Sequence, residues 1–282
     1  MKKVTRQFYT GERALFAVKD MHLVECTFDA GESPLKESSN LLLDKCLFKW
    51  KYPLWYGKDI TLNDCTLFDT ARAGIWYTDN ITFNNCVIEA VKSFRRATHI
   101  TLNNVVIPNA METLWNCTDV SLKNVQAQGA YFAMGCRNVV CEYFVLTGDY
   151  CFDGAENVTI RRSKLLSKDS FWNCKNVTVY DSFISGEYLA WNAENVTFVN
   201  CTIESLQGLC YVKNLKLVNC KLINTTRSFE YSSVDAEIVG HVDSIVNPSS
   251  GRIVADSIGE CTLDDKYIDS SKTTVKCRGD KK

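Results

Sequence analysis

One position in a repeating pattern carries most of the tryptophans of the chain, together with an arginine and an aspartate. In chain order this position holds Lys36, Trp55, Trp76, Arg95, Trp115, Met134, Asp153, Trp172, Trp191, Cys210 and Tyr231. Indole faces stack on the apolar faces of sugar rings, and Arg and Lys side chains bind carboxylate or phosphate groups. The pattern therefore predicts a groove floored by indoles and edged by charges, suited to a saccharide or another anionic sugar-like ligand.

Charged residues also recur earlier in the repeat, where they would edge this groove. They are Glu32, Lys51, Arg72, Asp149, Lys168 and Glu187, with Glu112 and Asp169 one residue further along in their copies. A guanidinium can hold an anionic group of a ligand, and a nearby carboxyl can act as acid or base. The predicted catalytic residues are Asp149, Asp153 and Arg95. The predicted substrate-binding residues are Lys36, Lys51, Trp55, Arg72, Trp76, Arg96, Glu112, Trp115, Trp172, Glu187, Trp191 and Tyr231.

Plainer interpretations stay open for both columns. In the functional interpretation, the site centres on the middle copies, with Arg72, Trp76, Arg95, Trp115, Asp149 and Asp153. In the plainer one, tyrosine-rich loops fold over the indoles and form a second small core with Tyr52, Tyr131, Tyr150 and Tyr188. The mixed charges would then be ordinary surface ion pairs, which contribute little stability.

The columns are defined by a repeat of 19 to 21 residues that runs through most of the chain. Its anchor is a polar residue, in order Asp20, Asn40, Asp59, Asn80, His99, Asp119, Asn138, Asn157, Asn176, Asn195 and Asn214, with Asp235 as a weaker twelfth. Apolar residues follow one and three positions after the anchor, as in Asn157-Val158-Thr159-Ile160. Alternation of this kind indicates a short strand with one buried face.

Each repeat contains two further short strands. One carries an apolar pair such as Cys86 and Ile88, and the other precedes the anchor, as in Gly74-Ile75-Trp76-Tyr77. Polar pairs such as Asn84-Asn85 separate the strands, and Asn tolerates the left-handed conformation that a sharp corner needs. The sequence thus predicts an all-β fold, a single-stranded right-handed parallel β-helix of about 11–12 coils. Pentapeptide and left-handed hexapeptide solenoids fit less well, because Trp, Arg and Asp share one face and a strict six-residue rhythm is missing.

The open ends of such a solenoid expose strand edges that need to be covered. Residues 1–19 are predicted to form an N-terminal cap and residues 20–233 the β-helix coils. Residues 234–282 are predicted to form irregular C-terminal coils and a tail of the same single domain.

The composition argues against several partners. The chain has 32 Lys and Arg against 33 Asp and Glu, so its formal net charge of −1 offers no field to attract nucleic acid or an acidic membrane. No apolar run approaches the roughly 18 residues that span a bilayer, and polar sequence follows Met1 where a signal peptide would be apolar. We predict a cytoplasmic protein without nucleic-acid or membrane partners, with a saccharide ligand and a homo-oligomer as the candidate partners.

The chain has fourteen cysteines, and six of them repeat at an inward-facing position. These six are Cys26, Cys46, Cys65, Cys86, Cys201 and Cys220, which predicts reduced thiols buried in the core. The chain has no CxxC pair, its three histidines are far apart in the repeat, and it lacks phosphate- and dinucleotide-binding glycine motifs. We predict no metal and no cofactor.

Short motifs lie on the third strand and its preceding loop in successive copies. They read GERALF at 11–16, GESPLK at 31–36, WKYPLWY at 50–56, ARAGIWY at 71–77, FRR at 94–96, ETLWN at 112–116, FDG at 152–154 and FWN at 171–173. This ordered string resembles a family of bacterial β-helix proteins of unknown function, over nearly the whole chain. The resemblance implies a single-stranded right-handed β-helix, typically cytoplasmic and from gut or oral bacteria, with no established activity.

The chain departs from the family pattern in one copy, at Ala130 and Gly135. The family tends to have Asp in place of Ala130 and Asn in place of Gly135. Either a catalytic acid has been lost, which would weaken or disable an active site, or a residue that is not essential in the groove has been substituted.

Three functions fit these observations. The first is a carbohydrate-active enzyme (a lyase, hydrolase or epimerase), suggested by analogy with other β-helix proteins. The second is a module that binds a saccharide or peptide without turning it over. The third is a structural scaffold whose Trp face is an oligomer or partner interface.

Overall fold

Parallel strands stacked turn upon turn make up the protein, as a β-solenoid of about 15 turns. The structure, a computed structural model, describes residues 1–279. The chain divides into two compact units, Met1–Leu146 and Thr147–Lys282. The predicted all-β solenoid is confirmed, and residues 1–279 contain no α-helix. Within them no helix is long and apolar enough to cross a membrane.

The first unit is built of short parallel strands and one 3₁₀ turn, Asp69–Ala71. Its strands are β1 (Lys2–Thr5), β2 (Phe8–Tyr9), β3 (Lys19–Val24), β4 (Thr27–Phe28), β5 (Ser39–Asp44), β6 (Leu47–Phe48), β7 (Lys58–Asn63), β8 (Thr66–Leu67), β9 (Ile75–Trp76), β10 (Asp79–Asn84), β11 (Val87–Ile88), β12 (Phe94–Arg95), β13 (Thr98–Ile107), β14 (Thr118–Gln128), β15 (Arg137–Glu142) and β16 (Val145–Gly148), the last continuing past the unit boundary.

The second unit follows the same plan and carries a 3₁₀ turn at Ser270–Lys272. Its strands are β17 (Glu156–Arg161), β18 (Lys164–Ser167), β19 (Lys175–Tyr180), β20 (Phe183–Gly186), β21 (Glu194–Val199), β22 (Thr202–Ser205), β23 (Lys213–Ile223), β24 (Ser233–Ile238), β25 (His241–Val246), β26 (Ser250–Ala255), β27 (Ser257–Thr262) and β28 (Thr273–Cys277).

The predicted alternation sets the register of the stack. Strands β7 and β10 pair so that Ile60 lies beside Ile81 and Leu62 beside Phe83, and all four side chains are buried. The threonines between these apolar residues point outward and are half-buried. Stacking like side chains on like removes apolar area from water in every turn, which is the main favourable contribution to folding.

The corners between strands lie in the left-handed backbone region, as the Asn content predicted. The anchor Asn80 has φ 55° and the second corner residue Asn85 also has φ 55°. Side-chain amides then bond along the stack, for example from Asn195 Nδ2 to Asn176 Oδ1 at 2.9 Å. These bonds offset part of the steric cost of a left-handed non-glycine residue.

The stack extends beyond residues 20–233. At the N-terminal end β1 pairs with β3 and β2 with β4, and at the other end β24 pairs with β26 and β26 with β28. Ser233 lies beside Ser250 and Gly251 beside Thr273, so the spacing changes between these turns. The loops vary in length while the strands stay paired, which explains why the sequence period fades. The additional turns at the two ends raise the number of turns from the predicted 11–12 to about 15.

The cysteines behave as core residues. All fourteen thiols are free, and twelve are buried. Neighbouring turns are linked by bonds from Cys46 N to Cys65 Sγ and from Cys65 N to Cys86 Sγ, each 3.3 Å long. The predicted inward-facing cysteine column is confirmed.

Candidate functional site

The predicted tryptophan column forms a stacked ladder in the first unit. The rings of Trp55 and Trp76 lie 5.1 Å apart at an interplanar angle of 8°. Arg95 continues the ladder, because its guanidinium carbon lies 4.6 Å from the ring centroids of both Trp76 and Trp115. Trp76 is therefore flanked by Trp55 and Arg95, and Arg95 also covers one face of Trp115.

The indole N–H groups of the column are also used. Each donates to a backbone carbonyl: Trp55 to Ala73, Trp76 to Lys92 at 2.9 Å, Trp115 to Tyr131 at 2.7 Å, Trp172 to Tyr188 at 2.9 Å and Trp191 to Gln207 at 3.0 Å. A side chain held by a stacked face and by its polar atom has little freedom to turn toward a ligand. These five half-buried indoles therefore stabilise the third strand.

The second unit repeats the ladder and covers it with tyrosines. Trp172 stacks on Trp191 at 5.9 Å and 11°. Tyr188 meets Trp191 edge-on at 5.1 Å, and Tyr150 meets Trp172 edge-on at 6.4 Å. In the first unit Tyr52 likewise lies 4.6 Å from Trp55. The five column indoles are half-buried, and tyrosines contact Trp55, Trp172 and Trp191 as the plainer interpretation expected, although Tyr131 is 41% exposed.

Two members of the predicted column depart from it. Cys210 is fully buried, and its thiol donates to the backbone carbonyls of Gly208 at 3.5 Å and Arg227 at 3.6 Å. Asp235 pairs with Lys216 rather than aligning with Asn214, so the twelfth anchor was misplaced. As a result Tyr231 does not align with Cys210, and its ring stacks on Tyr211 at 5.3 Å.

Arg95, one of the predicted catalytic residues, is held by structural contacts. Besides its two indoles, its Nη2 lies 3.2 Å from Glu112 Oε2, and the other oxygen of Glu112 lies 3.2 Å from Lys92 Nζ. The Nε atom of Arg95 is buried and has no hydrogen-bond partner within residues 1–279. Lys36 is also engaged, with its ammonium 5.5 Å from the ring centroid of Tyr56. Arg96 is exposed at a left-handed corner with φ 49°.

The predicted acids Asp149 and Asp153 lie in the second unit, whereas Arg95 lies in the first. Asp153 is half-buried and accepts a 2.9 Å hydrogen bond from Asn173 Nδ2, while Asp149 is exposed. The structure thus divides the predicted central cluster between the two units. Glu187, another predicted residue, lies 3.7 Å from Lys168 Nζ.

Asp169 is the most unusual carboxyl of the second unit. Its side chain is 2% exposed, and its Oδ1 has no hydrogen-bond partner in the part of the chain that the structure describes. Burial is the main cause that raises the pKa of Asp169, and the nearby acids Glu187 and Asp149 add to it, while Lys168 opposes it.

A cleft of about 400 Å³ in the first unit contains groups that the fold leaves unused. It is lined by Trp50, Lys51, Asp69, Thr70, Arg72, Val91 and Asn109. Trp50 is 37% exposed and, within residues 1–279, its N–H makes no hydrogen bond and no aromatic ring stacks on it. The ammonium of Lys51 lies 5.8 Å from its ring centroid. Trp50 thus carries no stacked ring among the described residues and remains available to a planar partner.

Arg72 is the matching charged group of this cleft. It follows the Asp69–Ala71 turn, it is exposed, and no hydrogen bond, ion pair or ring contact engages its side chain among the described residues. Lys51 is offset by Glu32, whose Oε1 lies 2.8 Å from its ammonium. Asp69 Oδ1 accepts a 2.7 Å hydrogen bond from the backbone N–H of Thr70.

The structure therefore brings together two predicted substrate-binding residues, Lys51 and Arg72, and adds Trp50, Asp69 and Asn109, which the sequence reasoning missed. Trp50 stands immediately before the charged column and five residues before the tryptophan column. This offset is a sequence signal for Trp50, because a tryptophan outside the repeated position of the other five cannot stack with them. Asn109 and Asp69 lie in loops, and the repeat does not predict which loop residues converge.

The histidines pair with polar side chains near their own strands. His22 Nε2 lies 2.6 Å from Asp44 Oδ2, and His99 Nδ1 lies 2.8 Å from Asp79 Oδ1. The hydrogen bond to Asp79 raises the pKa of His99. Within residues 1–279 no group of three or more His, Cys, Asp or Glu side chains is placed to hold a metal ion.

Gly135, where the chain departs from the family pattern, occupies a left-handed corner with φ 62°. Asn116 occupies the same corner one turn earlier, with φ 52°. Gly and Asn are the two residue types that adopt this conformation most readily. The Gly135 difference is thus explained by the corner and requires no change in a catalytic group.

These observations define the protein as a parallel β-solenoid with one candidate ligand cleft. The chain belongs to the family described as "Protein of unknown function (DUF3737)", which matches residues 2–276. This confirms the resemblance to a β-helix family without an established activity. No curated protein matches the chain.

Two solved structures are similar at low identity. The surface adhesin PfbA of Streptococcus pneumoniae is 9% identical, with a TM-score of 0.36 and coverage of 94% of this chain and 85% of that one. The A-module of the Azotobacter vinelandii mannuronan C-5 epimerase AlgE4 is 11% identical, with a TM-score of 0.32 and coverage of 99% and 89%. Similarity at this level carries no argument about function.

Proposed function

We propose that the cleft beside Trp50 and Arg72 binds an anionic saccharide or a similar sugar-like ligand. The observation that carries this proposal is that the Trp50 ring contacts no cation other than Lys51, 5.8 Å from its centroid, and that the Arg72 side chain has no partner within residues 1–279. Among the described residues the indole has no stacked ring or hydrogen bond, and the guanidinium has no partner. Both line the same cleft of about 400 Å³.

Each group supplies a different part of the recognition. An indole face can cover the apolar face of a sugar ring, and aromatic contacts of this kind are worth about 0.5–1.5 kcal/mol beyond the area they bury. A guanidinium donates paired hydrogen bonds to an anionic group, and bonds to charged groups contribute about 1.5–3 kcal/mol each. Arg72 is exposed and must be ordered on the ligand, which costs about 0.5–1.5 kcal/mol that these contacts have to exceed.

The proposal covers binding and assigns no bond-breaking step. Lys51 belongs to the cleft, so two of the predicted substrate-binding residues take part. Trp55, Trp76 and Arg95 support the third strand through their ladder contacts instead of touching the ligand. The setting is the cytoplasm, as the cysteine content predicts.

Calorimetric titration with D-glucuronate and D-glucose tests the proposal. We expect the wild-type protein to bind glucuronate more tightly than glucose. Trp50→Ala and Arg72→Gln should each lower glucuronate affinity about tenfold, a change of about 1.4 kcal/mol. Trp50→Phe keeps an aromatic face and should lose less than Trp50→Ala.

Lys58→Gln is the matched control, because it removes one exposed cation from the same unit outside the cleft. It should bind glucuronate like the wild type. The proposal is wrong if Trp50→Ala and Arg72→Gln bind as the wild type does, or if the wild type binds neither sugar.

A further inference from the structure

We infer that the anionic group recognised in the Trp50–Arg72 cleft is a single carboxylate on a hydroxyl-bearing ring, and that phosphorylated sugars are rejected. This inference rests on the proposed function and specifies the ligand class for the same cleft. It is carried by the charges that line the cleft and by the position of Asp69 among them.

The cleft contains one positive charge that has no ion-pair partner among the described residues. Lys51 also lines it, but Glu32 Oε1 lies 2.8 Å from its ammonium and neutralises it locally. Arg72 has no ion pair among residues 1–279. A ligand therefore meets one uncompensated cation, which a carboxylate with its single negative charge matches.

Asp69 adds a negative charge to the wall of the same cleft. A phosphate monoester carries about −1.5 to −2 charges at pH 7, and its excess charge would face this carboxylate. Like charges brought within a few ångströms of each other repel, and the repulsion grows with the charge on the ligand. The arrangement penalises a phosphate and tolerates a carboxylate.

Asp69 can also recognise the ring itself. Its Oδ1 accepts the Thr70 N–H, while its Oδ2 has no hydrogen-bond partner in the described part of the chain. A carboxylate oxygen is an acceptor only, so its natural partner on a ligand is a hydroxyl. In this arrangement Trp50 contacts the apolar ring face of the ligand, Arg72 binds its carboxylate, and Asp69 accepts a hydrogen bond from one of its hydroxyls.

Three probes that share one ring test this inference. D-glucose, D-glucuronate and D-glucose 6-phosphate differ at a single carbon, which carries a hydroxymethyl, a carboxylate or a phosphate ester. We expect glucuronate to bind about tenfold more tightly than glucose 6-phosphate to the wild-type protein at pH 7.5. Measurements at low and moderate salt should show the preference weakening as charges are screened.

Asp69→Asn is the decisive variant, because asparagine keeps an oxygen for the Thr70 N–H and removes only the charge. It should narrow or reverse the preference for glucuronate over glucose 6-phosphate, mainly by improving phosphate binding. A thermal melt of the variant, compared with wild type, checks that the fold is retained.

The outcomes separate this inference from the proposed function. If glucose 6-phosphate binds the wild type as well as glucuronate does, and both need Arg72, the carboxylate preference is overturned while the proposed function stands. An unchanged preference in Asp69→Asn likewise overturns the inference. If none of the three probes binds in a way that depends on Trp50 and Arg72, the proposed function itself fails.

Discussion

The charged position that precedes the third strand of each turn has a surplus positive charge in the first unit and a surplus negative charge in the second. In the first unit, Glu32 pairs with Lys51 at 2.8 Å, and Arg72 is left without a partner among the described residues. In the second unit, Lys168 lies 3.7 Å from Glu187, and a further acid, Asp149, stands in the same column. The repeat therefore fixes the backbone path and leaves this column free to differ in chemistry.

The aromatic residues show the same contrast. Trp50 of the first unit lies outside the ladder and is 37% exposed. In the second unit, Trp172 and Trp191 lie within a ladder that Tyr188 covers edge-on. Indoles in the ladder hold the solenoid together, whereas an indole outside it is available for recognition. The proposed ligand cleft accordingly lies in the first unit.

The largest expected effect is on the free energy of unfolding, and it distinguishes Trp172, which stacks in the ladder, from Trp50, which does not. Trp172→Ala should destabilise the protein by about 2–4 kcal/mol, because it removes a stacked ring and leaves a void among its neighbours. Trp50→Ala should cost less than Trp172→Ala, since the Trp50 ring stacks on no other ring among the described residues and is 37% exposed. Urea unfolding of both variants measures the contrast. Equal losses would mean that Trp50 is also part of the packed structure.

A second comparison concerns two acids at equivalent repeat positions, Glu112 and Asp169. Glu112 is paired with Arg95 and Lys92, each at 3.2 Å, so Glu112→Gln should destabilise the protein at pH 7 by about 1 kcal/mol. Asp169 is buried and unpaired at Oδ1, so Asp169→Asn should stabilise it at pH 7 by about 1 kcal/mol.

The pH dependence follows from the raised pKa of Asp169. A raised folded-state pKa means that the native protein holds this proton more tightly than the unfolded chain does. The stabilising contribution is complete below the unfolded value of about 3.9 and is lost as pH rises through the raised native pKa. The gain from Asp169→Asn should thus vanish near pH 3.5. Denaturation at both pH values tests this, and a gain of equal size at both would contradict it.

The smallest effect is expected at the left-handed corner shared by Gly135 and Gly154. Gly135 has φ 62° and Gly154 has φ 66°. A Cβ at Gly135 would lie 2.5 Å from Asn116 Oδ1, the end of a flexible side chain, whereas one at Gly154 would meet nothing within 4 Å. Gly135→Asn should change stability by less than about 0.5 kcal/mol once Asn116 turns aside, and Gly135→Ala should be less stable than Gly135→Asn. Thermal melts rank the variants, and a large loss in Gly135→Asn would show that Asn116 cannot move.

Sequence periodicity predicted the fold because each turn repeats the same physical requirement. The apolar pairs at Ile60 and Leu62 or Ile81 and Phe83 must face inward, and a left-handed corner must follow. Turn boundaries became unpredictable beyond Asn214, where loop lengths change while strand pairing continues. The spacing of apolar residues alone does not predict the lengths of such loops.

The candidate site was only partly predictable for a related reason. Arg72 and Lys51 were found because they occupy a repeated position. The five ladder indoles looked exposed because alternation indicates the direction of a side chain and not what covers it. Asn109 and Asp69 reach the cleft through loops, whose convergence depends on the folded backbone.

The most direct test compares equivalent cations of the two units in one titration. Glucuronate is titrated into the wild-type protein, Arg72→Gln and Lys168→Gln, and heat is recorded for each. We predict an affinity loss of about tenfold for Arg72→Gln and none for Lys168→Gln, because only Arg72 is an unpaired cation beside a free indole. Equal affinities for all three proteins, or a loss confined to Lys168→Gln, would contradict the account.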